Sequence, residues 1–126
     1  MAELNPDRIR MGGCSPILRV ENMQAALQFY VGMLDFENAP WGSEDFTCVT
    51  NGRASIYLSR GDQGRGRAWI WVGVDDAAKL HGTLKARGVK IKLPPTNFSW
   101  ALEMQIEDFD GNVLRLGSEP LAGECS

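Results

Sequence analysis

The stretch RAWIWVGVDD, residues 67–76, decides how the rest of the chain is read. In extended backbone, successive side chains point to opposite sides. Ile70, Val72 and Val74 then make an aliphatic face suited to a helix-covered sheet. Trp69 and Trp71 make the other face. Indole rings are costly to leave against water, so this second face has two readings. It packs into a core, or it lines a concave site for a flat or amphipathic ligand. Asp75 or Asp76 can cap a helix that runs through Arg87, with Ala77, Leu80 and Leu84 on one stripe and Gly88 as its terminator.

Upstream lies GDQGRGR, residues 61–67, a glycine-rich linker. Its glycines lack the spacing and the lysine of a phosphate loop. Before it, ASIYLS (residues 54–59) reads as a strand with Ile56 and Leu58 on one face and Ser55 and Tyr57 on the other. Asn51-Gly52 is a hairpin signal joining it to a strand from Phe46 to Thr50. Residues 35–45 are mixed: Phe36 suits a short strand, and Pro40-Trp41-Gly42 a loop. Asn22 suits a helix N-cap, and Met23, Ala26, Leu27, Tyr30, Val31 and Leu34 form an amphipathic stripe behind it. Residues 14–20 (CSPILRV) read as a strand, with Pro16 hinting at a sheet edge. Pro16, Leu18 and Val20 share one face and Ser15, Ile17 and Arg19 the other. Residues 1–13 are polar and read as an arm.

Downstream, Val89 to Leu93 reads as a short strand ended by Pro94-Pro95. Trp100 to Ile106 alternates, with Leu102, Met104 and Ile106 on one face and Glu103 and Gln105 on the other. Asp110-Gly111-Asn112 makes a second turn, Val113 to Leu116 returns, and the tail after Pro120 is small and polar. Asp108, Asp110 and Asn112 do not make a calcium loop, because Gly111 precedes the third candidate ligand instead of following it.

The chain therefore repeats itself. Strand, helix and three strands occur twice, with Val20-Glu21 matched by Val74-Asp75 and Asn51-Gly52 by Asp110-Gly111. The fold class is α+β, with a first β-α-β-β-β module over residues 14–60, the linker at 61–67 and a second module over 68–119. Units that each expose a half-sheet must pair to bury their apolar faces. The length of 126 residues suits one domain (residues 1–126).

Composition narrows the function classes. The net charge is −3, which argues against a general nucleic-acid binder. Cys14, Cys48 and Cys125 are odd in number with no C-x-x-C spacing, so reduced thiols are expected in place of a disulfide framework or a structural zinc site. No apolar run approaches a membrane span, and MAELNPDRIR lacks a signal-peptide core, so the expectation is a cytoplasmic protein with no membrane or nucleic-acid partner. His81, the only histidine, falls on the polar flank of the second helix and reads as a surface residue.

Three stretches carry a family resemblance: PILRVENMQAALQFYVGMLDFE, AWIWVGVDD and EDFDGNVLRLGSE. In this order and spacing the chain resembles the glyoxalase/bleomycin-resistance/extradiol-dioxygenase (vicinal oxygen chelate) superfamily. The resemblance implies two β-α-β-β-β modules whose mixed sheets curl into a cup with the helices outside, commonly in a homodimer that exchanges a strand or a module in some members. In the metalloenzymes of that superfamily four strands each aim one ligand into the cup. The corresponding places here are Ser15, Tyr57, Trp69 and Arg115, of which only Tyr57 is a conceivable ligand. No metal and no cofactor are therefore expected.

The resemblance is closer to the bleomycin-resistance branch, where a similar A-W-V-W-V strand and a tryptophan three residues before a glutamate (Trp100 and Glu103 here) occur. That branch implies sequestration of a cationic aromatic drug, an antibiotic-resistance role, in a dimer-interface groove without chemistry. The ligand-binding residues it implies are Trp69, Trp71, Trp100, Glu103, Tyr57, Arg115, Phe46 and Ser15. Arg115 has two readings, as an anchor for a ligand carboxylate or as the partner of Glu103. The alternative function is a glyoxalase- or dioxygenase-like enzyme acting on a small carbonyl or aromatic metabolite. A third is an interaction module with a vestigial cup.

Overall fold

The computed structural model describes residues 9, 10 and 12–122. Most of the expected N-terminal arm and Cys125 lie outside these residues. The repeat seen in the sequence becomes two four-stranded mixed sheets, the α+β class expected. In the first module, β1 (Ile17–Arg19) is followed by α1 (Met23–Leu27), β2 (Glu37–Asn38), β3 (Phe46–Asn51) and β4 (Ala54–Ser59). In the second, β5 (Trp69–Gly73) is followed by α2 (Ala77–Ala86), β6 (Lys90–Asn97), β7 (Leu102–Glu107) and β8 (Val113–Ser118). The orders, β1-β4-β3-β2 and β5-β8-β7-β6, are the same topology twice. The first strand of each module runs parallel to its last, and the other pairs are antiparallel.

Local chemistry explains the elements. Asn22 caps α1 by accepting from the Ala25 backbone N–H at 2.9 Å, and Asp76 caps α2 by accepting from Lys79 at 3.1 Å. Gly88, at φ 82, lets the chain leave α2 in the left-handed region. Gly52 occupies the first central position of the β3–β4 turn at φ 57, which fits the hairpin signal. β1 lies at a sheet edge, as Pro16 suggested.

Two sequence expectations are corrected. Pro94-Pro95 does not end the sixth strand, which continues to Asn97. β6 is an edge strand, and its register shifts between Ile91 and Leu93 and again between Leu93 and Thr96. An edge with bulges tolerates residues that cannot donate to a ladder. The first helix also does not keep an α-helical stripe. From Gln28 to Met33 it is a π-helix, with the Leu34 N–H donating to the Phe29 carbonyl at 3.1 Å. The wider turn rotates the face, so Phe29 is buried and Val31 is exposed.

The aliphatic faces read from the sequence meet in one core. Leu18, Val20, Ile56 and Leu58 of the first module belong to the same buried cluster as Leu102, Met104, Ile106, Leu114 and Leu116 of the second. Polar contacts tie the modules together. The hydroxyl of Tyr30, wholly buried, donates to the Asp108 carboxylate at 2.9 Å, and the Glu21 N–H donates to Asp110 at 3.1 Å. Phe29 meets Phe109 edge-on at 5.3 Å. Arg87 donates to the Met33 carbonyl at 2.9 Å and to Asp35 at 3.1 Å. No helix among the described residues is long and apolar enough to cross a membrane.

Candidate functional site

Facing away from the helices, the outer side of the second sheet carries the tryptophans of β5. Cross-strand pairing puts Trp71 opposite Arg115, Arg115 opposite Gln105, and Glu103 opposite Gly117, so these side chains share one face. They are joined through Glu103. This carboxylate is 1% exposed and accepts four hydrogen bonds. Arg115 donates to it twice, from Nε at 2.7 Å and from Nη2 at 2.9 Å. Gln105 donates to Oε2 at 3.0 Å and the Trp100 indole N–H to Oε1 at 3.1 Å. The Arg115 pair, opposed by burial and helped by Gln105 and Trp100, holds the Glu103 carboxyl down at about 2. In turn the carboxylate raises the Arg115 guanidinium further.

The same guanidinium lies over the Trp71 ring at 5.2 Å from its centroid. Trp71 also crosses Gly117, where an added Cβ would meet the indole Cη2 at 2.2 Å. Only glycine leaves room for the ring in this position. Phe98 stacks on Trp100 with centroids 4.5 Å apart and planes 6° apart. The result is a platform in which a buried ionic hub holds Trp100 directly and Trp71 through Arg115, with Trp69 on the same strand face as Trp71. Its upper surfaces stay open: Trp69 is 58%, Trp71 48% and Trp100 59% exposed.

Phe46 and Tyr57 belong to a second cluster, on the outer face of the first sheet. Phe46 stacks on Tyr57 at 5.4 Å, and Trp41 stacks on Phe46 at 6.3 Å. Ser15 sits half-buried just before β1 and joins neither cluster. Among the described residues the two clusters share no hydrogen bond, ion pair or ring contact. A cleft of about 900 Å³ does open between the modules, but of the expected ligand-binding residues only Trp71 lines it. The eight residues are thus not gathered into one cavity of a single chain.

Sequence reading missed two parts of the platform. Lys92, on β6, places its ammonium 5.7 Å from the Trp69 ring centroid, across the sheet from the opposite edge strand. No local signal marks that contact, because it depends on the bulged register of β6. Gly117 was equally silent. Gln105 was legible from its alternation with Glu103.

The four places that the resemblance assigns to metal ligands, Ser15, Tyr57, Trp69 and Arg115, do not suit a divalent cation by their chemistry. Trp69 offers no donor atom, Arg115 brings a positive charge, and Ser15 and Tyr57 are poor ligands alone. The nearby carboxylate, Glu103, has both oxygens committed. Among the described residues no three His, Cys, Asp or Glu side chains are grouped to hold a metal.

Comparison with known proteins gives a consistent result. The bleomycin-binding protein of Streptomyces verticillus, solved with copper(II)-bleomycin, is 25% identical, with 93% of this chain and 100% of that one covered at a TM-score of 0.70. A glyoxalase/bleomycin resistance protein/dioxygenase superfamily member from Sphaerobacter thermophilus is 27% identical, with 83% of this chain and 94% of that one covered at a TM-score of 0.71. The antibiotic-binding protein TnmS3 of Streptomyces sp. CB03234 shares the fold, with a TM-score of 0.75 at 21% identity over 90% of this chain and 100% of that one. No curated protein matches the sequence. The profile of one family matches residues 10–116, which span both sheets and the indole platform, and the chain accordingly belongs to the Glyoxalase/Bleomycin resistance protein/Dioxygenase superfamily.

Proposed function

We propose that the protein binds a small molecule with a flat aromatic portion and sequesters it without chemistry and without a metal. The observation that carries this reading is the hub at Glu103. A carboxylate that is 1% exposed spends all its hydrogen-bonding capacity on holding Arg115, Gln105 and Trp100, while three indoles remain about half open to solvent. The same network that satisfies the buried carboxylate thus holds Trp100, and Trp71 through Arg115, in place while leaving their rings exposed. Preorganised rings lose little entropy when a planar ligand stacks on them. Each such contact adds about 0.5–1.5 kcal/mol beyond area burial, so two or three are needed for useful affinity.

The structures that resemble this chain include proteins described as binding copper(II)-bleomycin and an antibiotic, which supports a small-molecule ligand. A homodimer is part of the proposal. The aromatic cluster of Phe46 and Tyr57 stands apart from the indole platform within one chain, and a second copy bringing one against the other would complete a cup.

The test is titration of the purified protein with bleomycin and, separately, with neutral 2-naphthamide, followed by calorimetry and tryptophan fluorescence. Quenching with saturable heat for either ligand is the expected result. No heat and no fluorescence change with both ligands, up to millimolar naphthamide, would reject the platform. Sedimentation equilibrium reports the dimer. Stoichiometric zinc, nickel, manganese or iron in protein purified without chelator would overturn the metal-free reading and favour an enzyme.

A further inference from the structure

Charge on the platform goes further than shape. The outer face of the second sheet and its approach carry four cations, Arg67, Lys90, Lys92 and Arg115, against two carboxylates, Glu103 and Glu107. Both carboxylates are committed. Glu103 is buried under four donors, and Glu107 accepts from Lys90 at 3.0 Å. Lys92 lies over Trp69 and, behind Lys90, also acts on Glu107 electrostatically without a hydrogen bond to it. Arg115 has five N–H donors and spends two on Glu103, so its Nη1 edge remains for a ligand. Each exposed indole of β5 thus has a cation at its ring, and the two carboxylates of this face are each already paired, Glu103 with Arg115 and Glu107 with Lys90. The two rings are neighbours on one strand face, about 7 Å apart along it.

This positive patch belongs to a chain whose overall charge is −3, so it does not follow from composition. The first sheet offers little to offset it. On its outer face stand Arg19 on one edge strand and Glu37 on the other. In the loop before Phe46, Asp45 lies 3.6 Å from Arg60, and Glu44 is exposed. A cationic ligand on the platform would meet Lys92 and Arg115, while the carboxylates of this face are already answered by Arg115 and Lys90.

We infer that the ligand is a planar aromatic acid, a ring bearing a carboxylate, sulfonate or phosphate, which stacks on Trp69 and Trp71 and directs its anionic group to Lys92 and the free edge of Arg115. This rests on the platform reading and narrows it to one charge class. A planar, delocalised guanidinium presents donors in the geometry a carboxylate accepts.

The experiment uses three probes of one ring: 2-naphthoate, neutral 2-naphthamide and 2-naphthylmethylammonium. Tryptophan quenching of the full chain is measured at about 20 mM and 300 mM salt. Naphthoate is expected to bind about tenfold tighter than the ammonium probe at low salt, with naphthamide between, and the spread should shrink at high salt. Lys92→Gln should weaken naphthoate several-fold more than it changes naphthamide, so that the ratio of the two affinities falls. Arg115→Gln should reduce it further, but Lys92 is the cleaner position because Arg115 also holds the buried Glu103 carboxylate. Equal binding of all three probes, or tightest binding of the ammonium probe, overturns the anion inference and leaves the platform standing. Absence of quenching by all three overturns both.

Discussion

Replacement of Glu103 by glutamine tests the hub on which the candidate site depends. The substitution keeps the shape of the side chain and removes its charge. Each carboxylate oxygen accepts two donors, so an amide nitrogen at either place faces two N–H groups it cannot accept. One of those belongs to Arg115 in either orientation. Holding the carboxyl at about 2 against the ordinary 4.5 corresponds to about 3 kcal/mol at full strength. The Arg115 side chain is 37% exposed, so water screens part of the pair and about 2 kcal/mol is the expected loss. For 126 residues this lowers Tm by about 7 °C.

The pH dependence has a definite sign. A carboxyl whose value falls on folding contributes stability that is fully present above 4.5 and is lost as pH drops toward 2. Urea unfolding of wild type and Glu103→Gln at pH 7 should differ by about 2 kcal/mol, and rather more than half of that gap should vanish by about pH 3. The variant should also show lower fluorescence anisotropy, because Trp100 loses its anchor and Trp71 its cation. A gap below about 0.5 kcal/mol at pH 7, or one that does not change with pH, would refute the hub.

Three further outcomes are expected. Gly117→Ala puts a methyl 2.2 Å from the rim of Trp71, so the indole must swing off Arg115; stability should change by about 1 kcal/mol or less while affinity for 2-naphthamide falls about tenfold, and unchanged affinity would remove Trp71 from the site. Tyr30→Phe strips a donor from Asp108 at the junction between modules and should cost about 1.5–3 kcal/mol in urea unfolding. Because burial, and then Asp108, push the Tyr30 phenol well above its ordinary range, alkaline difference spectra should show that tyrosine ionising only when the chain unfolds. Gly64→Ala, at φ 73 and with its Cβ 2.4 Å from the Ile17 carbonyl oxygen, should destabilise by about 2 kcal/mol or more and detach the linker from β1; a neutral change would mean that the linker does not pack there.

Strand faces and helix starts were legible because they are local. Alternation of Leu102, Met104 and Ile106 with Glu103 and Gln105 separates the core face from the opposite face of the sheet wherever the strand is placed. Caps at Asn22 and Asp76 need only the next three residues. The stripe of the first helix failed where the helix stopped being α, and no residue pattern announced the π-helical stretch from Gln28. The continuation of the sixth strand through Pro94-Pro95 is not legible locally, because proline ends a strand inside a sheet but not at a bulged edge.

By itself, then, the sequence determined the duplicated modules and the aromatic face of β5, since each follows from residue type and short-range period. It left open whether Arg115 anchors a ligand or serves Glu103. Only the tertiary structure decided that it grips Glu103 with two donors, that Trp71 lies in the space left by Gly117, and that Lys92 reaches Trp69 from the far edge of the sheet. These contacts join residues on different strands. Their existence depends on register, bulges and side-chain rotamers, and a period read along one segment carries no information about those.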